Sequence, residues 1–450
     1  MKLSIHPNAR EHYDREAELL VTRVREAPEE FQKENPPPNP DLHIDSSVSV
    51  TGEVSTGWFD SDGDVIAQAF YEGKQMFGLF GEDYADLLRL AEKLKKSIRP
   101  RDAASLKTLI ELIFDWCKQK YRGANIPPMV TYALETCEPL IKAHEIWIPI
   151  SHLYTESPFR FGSIVFRAVT KKMMDEWMDS WLQHAKTAEE IHGVRLGIEK
   201  RRKRIQALAA ATITVYAEPD SAYEKAFKEV DKTVSLLRFF SPTNLSPRQV
   251  CYSTPLGSQH EDRYVYLLVD NGQITHYNSG FKHKSLPVWN LTNQHLTDWS
   301  SELTVLHTLL QKEELTDFQS SVLDALILYS RTSLAKHVSD KLVYMLVALE
   351  SIFLKDRNEQ ITDNISLRMA FMQNVSVTQR REIISNVKKA YSLRSAYIHH
   401  GQPIGIDDEK ILKCFMLNAW RSLAPLIPLA ATDITKEQFY ESFETRRLSG

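Results

Sequence analysis

The chain has 450 residues, with 55 Lys and Arg against 59 Asp and Glu, 43% hydrophobic and 25% charged, the proportions of an ordinary globular protein of two or three domains. A net charge of −4 excludes a protein that coats nucleic acid by bulk charge, so any RNA or DNA contact must be focal. Glycine is scarce, 16 in all, which argues against propellers, glycine-gated folds and flexible linkers and for a helix-rich build.

Roughly the first 35 residues carry a helical pattern. It is broken by Glu34–Asp41, ENPPPNPD, because proline lacks the donor N–H and disfavours helix in the residue before it. This segment is a linker or a rigid loop. After a Ser/Thr/Val/Gly stretch compatible with short strands, residues 82–145 return to amphipathic helix, as in YADLLRLAEKLKKSI and SLKTLIELIFDWCKQKY. From Ile146 the period changes to two, in IWIPISHL and FRFGSIVFRAV, before a charged helical segment that ends near Arg204. A strand, ATITVYA, then leads into the helix SAYEKAFKEVDKTVSLLRFF, and RYVYLLV and QITHYNS flank Asp270-Asn271-Gly272 as a hairpin. From about Leu303 only helices follow, with the short polar breaks of an antiparallel bundle. The expected class is α+β and helix-dominated. A mainly helical region over 1–145 precedes a mixed α/β sensing or regulatory domain over 146–300 and a helical bundle over 301–450.

The four cysteines, Cys117, Cys137, Cys251 and Cys414, are widely scattered and read as reduced thiols, with no metal-ligand spacing among them. No apolar run approaches the ~18 residues that span a bilayer, so a cytoplasmic protein without membrane contact is expected. Asp60-Ser61-Asp62-Gly63-Asp64 resembles a calcium loop only superficially: glycine falls fourth instead of sixth, and Tyr71 stands where the bidentate glutamate belongs. The common nucleotide, zinc-protease and serine-hydrolase motifs are missing, and neither metal nor cofactor is called for. Lys200-Arg201-Arg202-Lys203-Arg204 is the one dense basic run. It is read either as a solvated helix face or as an RNA contact, and lacks the interleaved aromatics that stack bases.

The informative helix lies near the C-terminus. Ile384, Val387, Tyr391, Arg394 and Ile398 recur at three- and four-residue steps and share one face. Arg394 interrupts that apolar stripe, and an arginine at a core-facing position is costly unless it is paired or lines a cleft or interface. A structural ion pair with Glu350 is one reading. His399 follows five residues on, about 140° around the helix and about 7.5 Å along it. Gly401 supplies a left-handed stop. A cation that stabilises phosphate charge beside a titratable imidazole is the minimal equipment for metal-free RNA cleavage.

Arg394-Ser395 and Ile398-His399, with Tyr391 one turn upstream and Ala348–Glu350 on an earlier helix, resemble the HEPN superfamily (higher eukaryotes and prokaryotes nucleotide-binding), in particular its Apea-like branch. ISLRMA, WIPIS, RFGSIVF and LLRFFSP extend the resemblance to about two thirds of the chain. The resemblance implies a bundle that dimerises with two Arg-x4-6-His motifs across one cleft. It also implies a metal-independent endoribonuclease acting on tRNA or mRNA, in antiviral defence or a toxin-like stress response, with the N-terminal portion sensing a phage-derived trigger or another regulatory partner. Arg394 would stabilise the phosphorane, and His399 would act as general acid or base. Ser395, His400, Tyr391 and Glu350 would support them. Ser395 stands where many active members carry Asn, Asp or His and where Apea-like members often carry serine, and the doubled histidine allows His400 as the alternative to His399. The other reading within the family is a non-catalytic RNA- or nucleotide-binding module or a scaffold.

Overall fold

The computed structural model describes residues 2–29, 56–59, 65–72, 75–258, 264–270, 273–280, 288–356, 358–373, 375–405 and 407–448. The proline-rich segment 34–41, the acidic loop 60–64 and the Asn271-Gly272 step lie outside the described residues. The fold is α+β and dominated by helices, in chain order as follows. The first part holds α1 (Pro7–Val21), β1 (Arg25–Glu26), β2 (Thr56–Phe59), β3 (Val65–Glu72), β4 (Gln75–Phe80), α2 (Glu82–Ser97), α3 (Leu106–Tyr121) and α4 (Met129–Cys137). Then come β5 (Lys142–Pro149), β6 (Leu153–Thr155), β7 (Phe159–Phe161), β8 (Ile164–Ala168), α5 (Lys171–Leu182), α6 (Ala188–Ile205), β9 (Ala209–Ala217) and α7 (Pro219–Arg238). After β10 (Tyr264–Asp270), β11 (Gln273–Gly280) and β12 (Trp289–Leu291) the remaining elements are helical: α8 (Asn293–Asp298), α9 (Ser300–Leu310), α10 (Asp317–Ser330), α11 (Val338–Phe353), α12 (Ile361–Met372), α13 (Val377–His400), α14 (Glu409–Leu423), α15 (Leu426–Ala430) and α16 (Lys436–Leu448).

The N-terminal helices pack with a four-stranded sheet of order β1-β4-β3-β2. Their core, built on residues such as Leu20, Leu87, Ile113 and Trp116, ends at Ile141. The central sheet is antiparallel, of order β11-β10-β5-β9-β8-β7. Its first strand starts at Lys142, four residues before the period-two pattern becomes obvious, because β5 pairs with β9 along its whole length. The run FRFGSIVFRAV is two strands, turned at Gly162, whose φ of 62° suits glycine.

Alternation along β5 gives the sheet two covered faces. Ile146 and Ile148 join α7 and the helical bundle in one hydrophobic core that runs on to Phe443, while Trp147 faces the other way, with Ala210 and Val269, under Met174 and Trp177 of α5 and Ile198 of α6. The core therefore does not divide at residue 300. Residues 241–256 cross from α7 to the bundle without regular structure beyond one short turn, and their backbone is satisfied by side chains from both sides. Buried Arg238 donates to the Ser253 carbonyl at 2.8 Å. Lys341, fully buried on α11, donates to the carbonyls of Ser246 and Gln249, and burial pulls its amine down to about 8.

The N-terminal and central regions meet at Glu218. This residue caps α7 and is 1% exposed. Its carboxylate accepts from the N–H groups of Ser221 (2.7 Å) and Asp220 (3.1 Å), and from the Ser105 N–H (2.7 Å) and the Thr108 hydroxyl (3.0 Å) at the start of α3.

Glu218→Ala strips four donors, three of them buried, of their acceptor and should cost on the order of 3 kcal/mol in urea unfolding, with Glu218→Gln milder because its amide keeps one acceptor oxygen. Lys341 supplies a pH test. Its folded amine loses its proton near pH 8 and its unfolded one near 10.5, so the unfolded state binds more protons between those values and stability rises with pH there, by up to about 3 kcal/mol. The difference in stability between wild type and Lys341→Met, compared at pH 7 and pH 10, should show that rise; an unchanged difference would contradict it.

Candidate functional site

Helix α13 starts at a capping box, Ser376 with Gln379, and its partners fix how far along it is covered. Lys388 pairs with Asp363 near the start of α12 at 2.7 Å, and Asn386 donates to the Ile411 carbonyl near the start of α14 at 3.0 Å. Both neighbours run antiparallel to α13 across short connections. Their first residues, Ile361 and Glu409, therefore stand roughly level with Tyr391, and the last nine residues of α13, about 13 Å of helix, run past both. No residue from Ser392 to His400 is buried.

The apolar stripe follows this geometry. Val387 and Tyr391 are buried and Ile384 packs against the core, Arg394 is half-buried, and Ile398 is 46% exposed. Arg394 occupies a core-facing position where the helix is leaving the core, just past Leu393, which still packs against it, and its partial exposure lowers the cost of its charge.

Helix α11 lies beside this projecting end, and two tyrosine hydroxyls tie them together. Tyr391 donates to Glu350 at 3.0 Å and Tyr397 donates to Asp340 at 3.4 Å. Between these two bonds α11 presents Val347, 38% exposed. The Tyr391 phenol is pushed up, first by burial and then by the charge and hydrogen bond of Glu350, with the Arg394 charge opposing. Tyr391, Glu350 and Arg394 are thus one electrostatic group. Among the described residues Arg394 has no hydrogen bond or ion pair, so Glu350 serves Tyr391 and does not sequester the arginine.

Ser395, His399 and His400 are exposed. The helix stays regular to His400 and stops at Gly401, φ 63°, whose N–H bonds to the Tyr397 carbonyl at 2.9 Å. Arg394 and His399 consequently keep their separation of about 140° around one helix. The run Lys200–Arg204 is elsewhere, on α6, over the sheet face turned away from the bundle core. It does not present five cations on one face: Arg201 is buried over the Trp181 ring at 4.3 Å, and Arg202 pairs with Asp175 and Glu199, leaving Lys200 and Lys203 exposed. The Tyr397–Asp340 tie was missed in the sequence. Its signal was present, two tyrosines six apart on one helix and two acids ten apart on another.

Among the described residues no group of three His, Cys, Asp or Glu side chains is arranged to hold a metal ion, and no helix is long and apolar enough to cross a membrane. Comparison with protein-family models, with curated proteins and with solved structures finds no match to this chain.

The arrangement separates two roles by stability. Arg394→Ala should change the urea-unfolding free energy by no more than about 0.5 kcal/mol, whereas Tyr391→Phe, which removes the donor from Glu350, should cost about 1–2 kcal/mol. Equal losses would make Arg394 a structural residue.

Proposed function

We propose that this chain is a metal-independent endoribonuclease of the HEPN type, active as a homodimer in which the projecting ends of two α13 helices share one cleft. The observation that carries the reading is Arg394: a guanidinium without an acidic partner among the described residues, held beside a tyrosine–carboxylate pair, on a helix end that also bears His399. One helix points the two residues apart, so a single copy does not aim both at one phosphate, whereas two facing copies can. The exposed Ile398, one turn beyond Arg394, and Val347 on α11 supply apolar surface for that pairing.

In the reaction proposed, the 2′-oxygen of the substrate attacks the adjacent phosphorus while His399 takes the hydroxyl proton. Arg394 neutralises charge building on the phosphorane oxygens. The bond from phosphorus to the 5′-oxygen breaks, and that oxygen takes a proton from the imidazolium of the second copy. The products are a 2′,3′-cyclic phosphate and a 5′-hydroxyl. His400, next in the chain and equally exposed, is the alternative to His399 in this role. Regulation from the N-terminal region has a physical route through Glu218 and α7, which packs in the same core as the bundle.

Purified protein incubated with tRNA and mRNA in EDTA should cleave both before and after chelation. Arg394→Ala and His399→Ala should each lower the rate by about a hundredfold or more. Cleavage that disappears with EDTA, or that survives both substitutions and His400→Ala, would refute the proposal.

A further inference from the structure

The outer surface of α13 carries a second pattern, offset from the apolar stripe. Arg381, Ser385, Lys388, Ser392, Ser395 and His399 recur at alternating four- and three-residue steps, and all six are exposed. On an ideal helix they occupy an arc of about 80° and a length of about 27 Å, ending at the proposed catalytic histidine. Every one is a cation, a hydroxyl or an imidazole. Glu382, the one acidic residue of this helix, lies off the arc. A merely solvated helix face ordinarily mixes both signs at these spacings.

Charge pairing elsewhere in the molecule sharpens the contrast. In the N-terminal region Arg23, Arg25, Arg89, Lys93, Lys118 and Arg122 all meet carboxylates. On α13 the only ion pair among the described residues is Lys388 with Asp363, exposed on both sides, and such pairs exchange readily for another anion. Residues 377–400 hold five Lys and Arg against one acid, +4 within a chain of net −4. One of the stripe's hydroxyls, Ser392, is bonded back to the Lys388 carbonyl; those of Ser385 and Ser395 have no bond to a described residue.

We propose that this stripe is the track for the phosphodiester backbone of single-stranded RNA, with Arg381 and Lys388 holding phosphates away from the scissile bond and the strand running along α13 to His399. The inference rests on the nuclease reading for its direction toward His399, but its binding test does not require cleavage. Backbone contacts of this kind give affinity without base sequence, so the track fits a strand selected by accessibility rather than by pairing partner.

The test uses the full chain and a short fluorescent single-stranded RNA with 2′-O-methyl groups, which lacks the attacking hydroxyl. Arg381→Glu with Lys388→Glu should weaken binding by about tenfold or more and reduce the slope of log affinity against log salt by about 1.4. Lys413→Glu with Arg421→Glu, two exposed cations of α14, should stay within about twofold of wild type. Arg381→Gln with Lys388→Gln guards against misfolding and should give a smaller loss in the same direction. The track is overturned if neither pair weakens binding, if both weaken it equally, or if the stripe variant loses self-association in light scattering while keeping its RNA affinity, which would make this face an interface between copies. Cleavage at wild-type kcat/KM by the stripe variant would remove the track and leave the nuclease; the predicted binding loss in a protein that never cleaves would leave the track and remove the nuclease.

Discussion

Two helices from different regions begin at one carboxylate. Glu218 lies where the N-termini of α3 and α7 converge, and each brings unpaired N–H groups and the positive end of a helix dipole. A buried glutamate alone would be costly, and four donors from two directions make it stable. The consequence extends beyond one cap. Because α7 packs on the central sheet and on α10, the orientation of the N-terminal region is passed through one rigid helix to the bundle that carries Arg394. The chain near this point bends to suit it: Asp102 takes a positive φ of 56° so that its carbonyl meets the Ser221 hydroxyl at 2.6 Å.

At the other end of the bundle the governing constraint is length. Helix α13 has 24 residues, while α12 and α14 beside it have 12 and 15. What the neighbours do not reach stays uncovered, and that is where the polar and titratable residues collect. Glycine at 401 ends the helix only after His400, so the uncovered part keeps helical geometry and its side chains keep fixed directions. The two tyrosine–carboxylate bonds to α11 hold this end against the bundle without covering it.

Much of this was legible in the sequence, for identifiable reasons. The helical C-terminal third and the alternation of Ile146, Trp147 and Ile148 follow from periodicity, which burial writes directly into residue type. The shared face of Val387, Tyr391, Arg394 and Ile398 was equally visible. Its exposure was not, because it depends on where α12 and α14 start, and those points are set by connections with no periodic signal. Glu350 was legible as a candidate partner for this face, but not whether Arg394 takes it: Tyr391 and Arg394 are three residues apart on one face, and the distance between helices decides that Tyr391 does. The basic run on α6 failed as a continuous field since Trp181 and Asp175 belong to a neighbouring helix. The donor stripe carries the same three- and four-residue spacing as the apolar one and is equally present in the sequence.

The single core shared by the central sheet and the bundle has a thermodynamic consequence. Architecture suggests two domains, but residues from Ile146 to Phe443 bury their apolar surface against one another, so unfolding either part exposes apolar surface of the other and their stabilities are coupled. The N-terminal region has its own core and meets this unit across a polar seam. A ligand on the sheet therefore acts on the bundle through shared apolar packing, whereas a ligand of the N-terminal region acts on it through the polar seam at Glu218.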